Sequence, residues 1–473
     1  MTERLLMYQL PKSRDLGINT CAACFDKQCE IDRLREEVTR LKGLLRYRER
    51  QEQALPFASS TPSSKIPVKA NTAVAETKKR GGGQVGHIGH GRRAVEVAQA
   101  AHVVSVPVAD ECPQCGEALR DKGWRQRTVL EMQPVVVEPV VYRLQRKYCE
   151  RCRQAVQANA PAVLPKSLFG NQLIAEVLTS HYVHGEPMGR ISERLGLGLG
   201  SLLEMAHRTA GLFRGVVAEL SREYRQAAVR HADETGWRTD GQSGYAWLFA
   251  TDSLSIFLFR GSRSSAVAKE ILGVEPLLGV LVVDRYNAYN RAPCALQYCY
   301  AHLLRDVEDL EKEFATDAEV IAFTSTLCPL LAEAMHLRRQ AITDAQYDER
   351  AQQIKQKIIT VTEAPADHPG ISKLQDIFRE KSARLYQWVE SRAVPAENNR
   401  AERELRPTVI ARKVSFGSQS EEGAQTREVL MTLLCTLRKR VKRPQAKLKE
   451  VLDQIARDPQ ADALQLLWVA DTS

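Results

Sequence analysis

Residues 227–237 read AAVRHADETGW, residues 279–290 read GVLVVDRYNAYN, and residues 397–407 read ENNRAERELRP. Asp284 closes the apolar run 279–283, whose continuous aliphatic character marks a buried central strand. Its carboxylate therefore sits at the carboxyl end of a sheet. Asp233 follows Val229 and the half-alternating start of another strand, so the two acids meet if those strands are neighbours. Glu402 lies on a helix-like run that also crowds Glu397, Arg403, Arg406, Arg412 and Lys413. An acid amid cations suits a metal site beside phosphate.

Around these motifs the chain alternates short β-rich runs, such as GYAWLFAT at 244–251 and SIFLFRG at 255–261, with helical patterns. That texture predicts a mixed α/β layer over 226–315. Residues 316–390 carry helical periodicity without chemical clustering and read as an all-helical insertion. The motif-bearing part of the chain then resumes over 391–436, and 437–473 reads as a basic helical tail that opens with LRKRVKR.

Upstream, Cys112-Pro-Gln-Cys115 and Cys149-Glu-Arg-Cys152 form two CxxC knuckles joined by a strand-rich stretch, within a module at 101–160. Two residues between thiolates let both sulfurs face one cation, and two such pairs complete a closed tetrahedral site, so a structural zinc ribbon is expected. Cys21, Cys24 and Cys29 cluster loosely without an evident fourth ligand and are left unassigned. Ile31, Leu34, Val38, Leu41 and Leu45 recur at steps of three and four, the seam of a short coiled coil within 1–53. Residues 54–100 are rich in Ser, Pro, Gly and Lys and read as a linker, basic through KKRGGGQVGHIGHGRR with Arg92 and Arg93. Helical spacing broken at Gly185 and at 196–200 makes 161–225 a helix-turn-helix-like region, with Ser201 expected to cap its second helix.

The 473 residues carry a formal charge of +9 and a pI near 9.0, a modest excess that favours polyanionic partners. No charged-then-apolar amino-terminal segment and no apolar run of bilayer length is evident, so a cytoplasmic, nucleoid-associated protein without a membrane partner is expected.

The order of zipper, basic linker, CPxCG and CxxC knuckles, helical region, HADETGW, VVDxYxAY, CxAHLxR and NNxAERxLRP resembles the DDE transposases of the insertion-sequence family IS66. The resemblance covers nearly the whole chain. It implies a ribonuclease-H-like mixed-sheet catalytic domain interrupted by a helical insertion, which cuts and rejoins double-stranded DNA at an element's terminal repeats and in its target. By motif, Asp233, Asp284 and Glu402 become the catalytic acids that hold two Mg2+ or Mn2+ ions. Glu397 competes for the third place, where the family more usually has Asp before Asn-Asn. Arg403, Arg406, Arg412, Lys413, Arg92 and Arg93 become DNA-binding residues, although one or two of the first four can instead pair with Glu404. Homo-oligomers and accessory proteins of the same element are the further partners implied.

Trp237, Trp247 and Tyr286 are candidates to stack on a splayed base, with plain packing preferred, and His302 in CYAHLLRD has no role legible from sequence. Two other functions stay open. A catalytically silent DNA-binding descendant of a transposase would keep the binding modules without cleavage, and a zinc-stabilised scaffold would assemble through the zipper.

Overall fold

The computed structural model describes residues 22–53, 137–149, 154–157, 160–161 and 163–468, together with Ala98 and Ala118. The chain divides into two compact units, 67–141 and the remainder. Residues 137–141 of the smaller unit carry no regular secondary structure and are largely exposed.

The remainder opens with helix α1 (Ala22–Gln53) and a hairpin of strands β1 (Arg146–Cys149) and β2 (Gln154–Gln157), paired antiparallel. Four helices follow: α2 (Asn171–Tyr182), α3 (Met188–Leu195), α4 (Leu199–Leu212) and α5 (Val216–Gln226). Gly196, in left-handed backbone with φ 65°, closes α3, and the N-cap of α4 is Gly198. Ser201 therefore lies inside α4 and caps nothing, a correction to the sequence reading. Glycine absorbs the reversal between the helices, so α4 starts three residues earlier than a serine cap requires. The exposed start of α4 presents Leu199, Ser201, Leu203 and Glu204, with no cation before Arg208.

The central sheet has five strands in the order β5-β4-β3-β6-β7. These are β3 (Val229–Thr239), β4 (Gln242–Ala250), β5 (Ser255–Arg260), β6 (Val280–Val283) and β7 (Ala295–Tyr298). The first three form an antiparallel meander, and β6 and β7 run parallel to β3. This five-stranded mixed sheet flanked by helices meets the expectation of a mixed α/β layer. The β3–β4 turn is Asp240-Gly241, both at positive φ (50° and 71°), as a two-residue hairpin with right-handed strand twist demands. Gly279 starts β6 at φ 82° so close to β3 that an added Cβ would lie 2.3 Å from the Ala228 carbonyl oxygen.

Helix α6 (Ser265–Leu272) links β5 to β6, and α7 (Tyr300–Glu313) leaves β7. Helices α8 (Ala318–Leu337), α9 (Asp344–Glu363) and α10 (Pro369–Glu380) follow, then α11 (Asn399–Ser415), α12 (Glu421–Arg440), α13 (Pro444–Arg457) and α14 (Ala463–Trp468). Helix α12 covers the edge strand β5, whose outward amides would otherwise lack partners. Thr436 Oγ1 accepts from Ser255 at 3.1 Å, Thr432 Oγ1 from Phe257 at 3.0 Å, and Glu428 Oε2 from Phe259 at 3.2 Å. Helix α8 is long and apolar enough to match a bilayer crossing, contrary to the sequence expectation. It instead buries Val320, Phe323, Leu327 and Leu331 within the helical region that includes α7 and α9.

Candidate active site

Strands β3 and β6 run in register, with Val229 beside Val280, Arg230 beside Leu281 and His231 beside Val282. Two residues further along, the same register sets Asp233 level with Asp284, on strands about 4.8 Å apart and on one face of the sheet. Each acid accepts a local amide: Asp233 Oδ1 from Glu234 N–H and Asp284 Oδ1 from Tyr286 N–H, both at 2.9 Å.

Glu402 reaches this end of the sheet because the entry to α11 is pinned there. The Asn398 side-chain amide donates to the Ala232 carbonyl at 2.8 Å, and its Oδ1 lies 2.9 Å from His231 Nδ1. Burial lowers the His231 pKa to about 4, so the ring is neutral and the Asn398 network assigns the proton to Nδ1. The Asn398 backbone N–H points at Cys299 Sγ (3.1 Å), and Tyr300 N–H donates to the Ala396 carbonyl at 2.8 Å. Held between β3 and the β7–α7 corner, α11 presents Glu402 in its first turn, 4.0 Å from His302 Nδ1 and 3.6 Å from Arg305.

All three carboxyls are pushed above their ordinary range. Burial dominates for Asp233, and Glu234, Asp284 and Glu402 add repulsion. Burial also raises Asp284, against the Tyr286 amide, Arg263 and Arg285. Glu402 is raised by burial and opposed by Arg305 and Arg406. A crowd of carboxylates short of positive charge is what a divalent cation relieves.

The donor atoms fit such a group. Glu402 Oε1 and His302 Nδ1 are both buried without a hydrogen-bond partner, and burial beside Arg305 and Arg285 lowers the His302 pKa to about 4, leaving its ring neutral. Cys299 Sγ belongs to the same cluster, within 4.8 Å of the His302 and Glu402 ligand atoms. Burial raises its pKa to about 12, however, so the sulfur stays a thiol and serves Asn398 instead.

Glu397 is directed elsewhere. Its carboxylate is buried and accepts from Arg339, just beyond α8, at 2.7 Å. Glu234 projects from the opposite face of β3, as a two-residue period dictates, yet it is buried too. Arg263 Nε (2.9 Å) and the Tyr289 hydroxyl (2.6 Å) donate to it, while burial and then Asp284 raise its pKa to about 7. Arg263 also lies over the Tyr286 ring, 3.8 Å from the centroid.

Sequence reasoning placed Glu234 on the face away from Asp233 but missed its partners Arg263 and Tyr289, as well as Arg285 and Arg305. Arg285 and Arg305 stand inside the quoted motifs VVDRYNAYN and CYAHLLR, and that position was the available signal.

Among the expected DNA-binding cations, Arg403, Arg406 and Lys413 are exposed on α11. Arg412 is half-buried, donating to Thr235 Oγ1 at 3.1 Å and to the Gly236 carbonyl at 2.5 Å. None of the four pairs with Glu404, which is held by Lys439 at 2.8 Å and Ser255 at 2.7 Å. Trp237 and Trp247 are buried, and Tyr286 donates its hydroxyl to the Arg263 carbonyl at 2.6 Å. Arg92, Arg93, Cys112, Cys115, Cys152 and Cys21 lie outside the described residues, and Cys149 ends β1.

Comparison with known proteins places the chain among relatives and in a family. The uncharacterized protein y4qI of Sinorhizobium fredii (strain NBRC 101917 / NGR234) is 27% identical over 416 residues, covering 79% of this chain and 76% of its own. Protein y4jD of the same strain, also uncharacterized, is 23% identical over 391 residues, covering 75% and 76% respectively. A family model described as Transposase IS66 family matches residues 166–426, over half of the chain and a span that includes Asp233, Asp284 and Glu402. The chain belongs to the IS66 transposase family.

Proposed function

We propose that this protein is the transposase of an insertion sequence, which binds the element's ends and catalyses metal-dependent cleavage and strand transfer on DNA through Asp233, Asp284 and Glu402. The observation that carries the reading is the parallel β3–β6 register, which continued past His231 and Val282 sets Asp233 level with Asp284 just beyond β6, with Asp284 and Glu402 both near enough to repel Asp233. These carboxylates would hold Mg2+ or Mn2+, and two such ions supply the charge that activates water or a 3′-hydroxyl and stabilises the leaving oxygen.

The chain's own groups do the remaining work. Asn398 and His231 fix the third acid against the strand that bears the first. Arg305 and Arg406 moderate the charge on Glu402, and Arg263 with Tyr289 holds Glu234 behind Asp233. Exposed Arg403, Arg406 and Lys413 would meet backbone phosphates. Cys112, Cys115, Cys149 and Cys152 would hold a structural Zn2+, and the apolar seam of α1 would join copies of the chain so that two element ends are held together.

The test is nicking and strand transfer on double-stranded DNA carrying the element's own ends, with Mg2+ or Mn2+ and any accessory proteins of the element. Wild type is expected to cleave, with Asp284→Asn and Glu402→Gln each slower by at least about a hundredfold. Sequence-specific binding without metal-dependent cleavage would instead favour a catalytically silent DNA-binding protein.

A further inference from the structure

Beyond the acids, β3 continues to its hairpin, where Phe416 is 77% exposed. Its backbone is left-handed, with φ 61°, a conformation that bulky residues avoid unless their surroundings enforce it. Those surroundings are specific. Phe416 N–H donates to the Arg412 carbonyl, Ser418 N–H donates to the Arg238 carbonyl, and the Ser418 carbonyl accepts from Asp240 N–H, each at 2.9 Å. Gly417 lies so near β3 that an added Cβ would come within 2.2 Å of the Arg238 carbonyl oxygen. The aromatic ring is thus held in solvent by a strap tied to the strand that carries Asp233.

Phe416 borders a cavity of about 520 Å3, lined also by Trp237, Arg238, Tyr245 and Arg412. Arg412 is fixed by two neutral acceptors, Thr235 Oγ1 and the Gly236 carbonyl. Among the described residues neither Arg412 nor Arg238 has a carboxylate partner, so two guanidinium groups face one cavity with their charge uncompensated. An exposed ring beside unpaired cations is the combination that grips unpaired nucleic acid, the ring taking a base face and the cations its phosphates.

We propose that this cavity takes one unstacked nucleobase of single-stranded DNA against Phe416, with Arg412 and Arg238 on the adjoining phosphates. The proposal rests on the DNA-processing reading above and adds a ligand to it. Trp237 lies four residues beyond Asp233 on β3, about 13 Å at the rise of a strand. A strand cut at the acids would therefore reach the cavity within a few nucleotides. A base inside an intact duplex cannot enter without leaving its stack, so the site selects opened or single-stranded DNA.

The full-length protein is titrated into an oligodeoxythymidylate carrying one 2-aminopurine, whose fluorescence falls when the base stacks, and separately into duplex DNA. Wild type is expected to quench the probe. Phe416→Ala should abolish the quenching and weaken single-strand binding roughly tenfold while leaving duplex binding unchanged, and Phe416→Trp should restore both. Arg412→Gln should lower the salt dependence of single-strand binding by about one phosphate contact, near 0.7 in slope.

Quenching and affinity unchanged in Phe416→Ala would overturn the proposal, as would equal losses on single strand and duplex. So would unchanged quenching with an altered sedimentation coefficient, which would make Phe416, with exposed Ile410 and Val414, a protein contact. Wild type that binds duplex but does not quench the probe sinks this proposal alone, whereas wild type that binds neither DNA sinks the DNA-processing reading as well.

Discussion

Asp284 shows how a single side chain can be poised for a ligand at the expense of its own protein. Burial raises its pKa, so the folded chain holds a proton that the unfolded chain releases from about pH 3.8 upward. The sign follows from linkage: this contribution to stability is fully present below the unfolded value and is lost as pH rises through the folded one. Glu234 behaves alike, with its window running from 4.5 up to about 7. In metal-free buffer Asp284→Asn should therefore melt above wild type at pH 8, by roughly 2–4 °C, with the gap closing towards pH 4. Added Mn2+ should raise the wild-type Tm and leave that of the variant nearly unmoved. An Asn variant that melts below wild type at pH 8 would contradict the electrostatic account. Asp284 was legible in the sequence because it follows an apolar strand run, whereas Asp233 lies in the middle of β3, which continues to Thr239, so its level with Asp284 comes from the parallel register and not from a strand end. Motif spacing already preferred Glu402 to Glu397; what it did not show is that Arg339 engages Glu397 and that Ala232 anchors Asn398, since those partners are distant in sequence.

At the scale of elements, the start of α11 is where the third acid gains its position. Asn398→Ala removes the bond to the Ala232 carbonyl and leaves His231 Nδ1 without its partner, both in a buried setting. An unsatisfied buried group of this kind costs about 1–3 kcal/mol. The variant should lower the Tm and also reduce metal-dependent cleavage, whereas a substitution that only destabilised would lower the Tm alone. Thermal melts beside a cleavage assay at a temperature where both proteins are folded separate the two. The apolar run before Asp284 made β6 readable from sequence. The cover that α12 gives to β5 was not readable, because Thr432 and Thr436 look like ordinary helix-interior threonines until the strand they serve is known. The Gly198 cap of α4 was hidden for a similar reason: serine two residues before an apolar position is the stronger local signal, and the Gly196 reversal overrides it.

For the whole molecule, assembly is the property that the parts leave open to experiment. Ile31, Leu34, Val38, Leu41 and Leu45 on α1 are 43%, 52%, 47%, 47% and 58% exposed. The contacts α1 makes with the rest of its unit, Arg40 to Asp317 at 3.3 Å and Gly43 beside Phe314, come from the face opposite that seam. Sedimentation should show a self-associated species that Leu34→Lys with Leu41→Lys converts to monomer. A wild-type monomer at all concentrations would leave the seam without a partner in kind. Motif order across hundreds of residues was enough to suggest the family, because long motifs survive where composition says little. A net charge of +9 did not locate the cations near the acids, which only the packing of α7 and α11 on the sheet brings together.

The most direct measurement is calorimetric titration of Mn2+ into metal-free protein, comparing wild type with Glu402→Gln and Glu397→Gln. The account predicts binding by wild type, at least about tenfold weaker binding after Glu402→Gln, and unchanged binding after Glu397→Gln, whose carboxylate is engaged by Arg339. Loss of Mn2+ binding on changing Glu397, or its full retention without the Glu402 carboxylate, would contradict the assignment of the site.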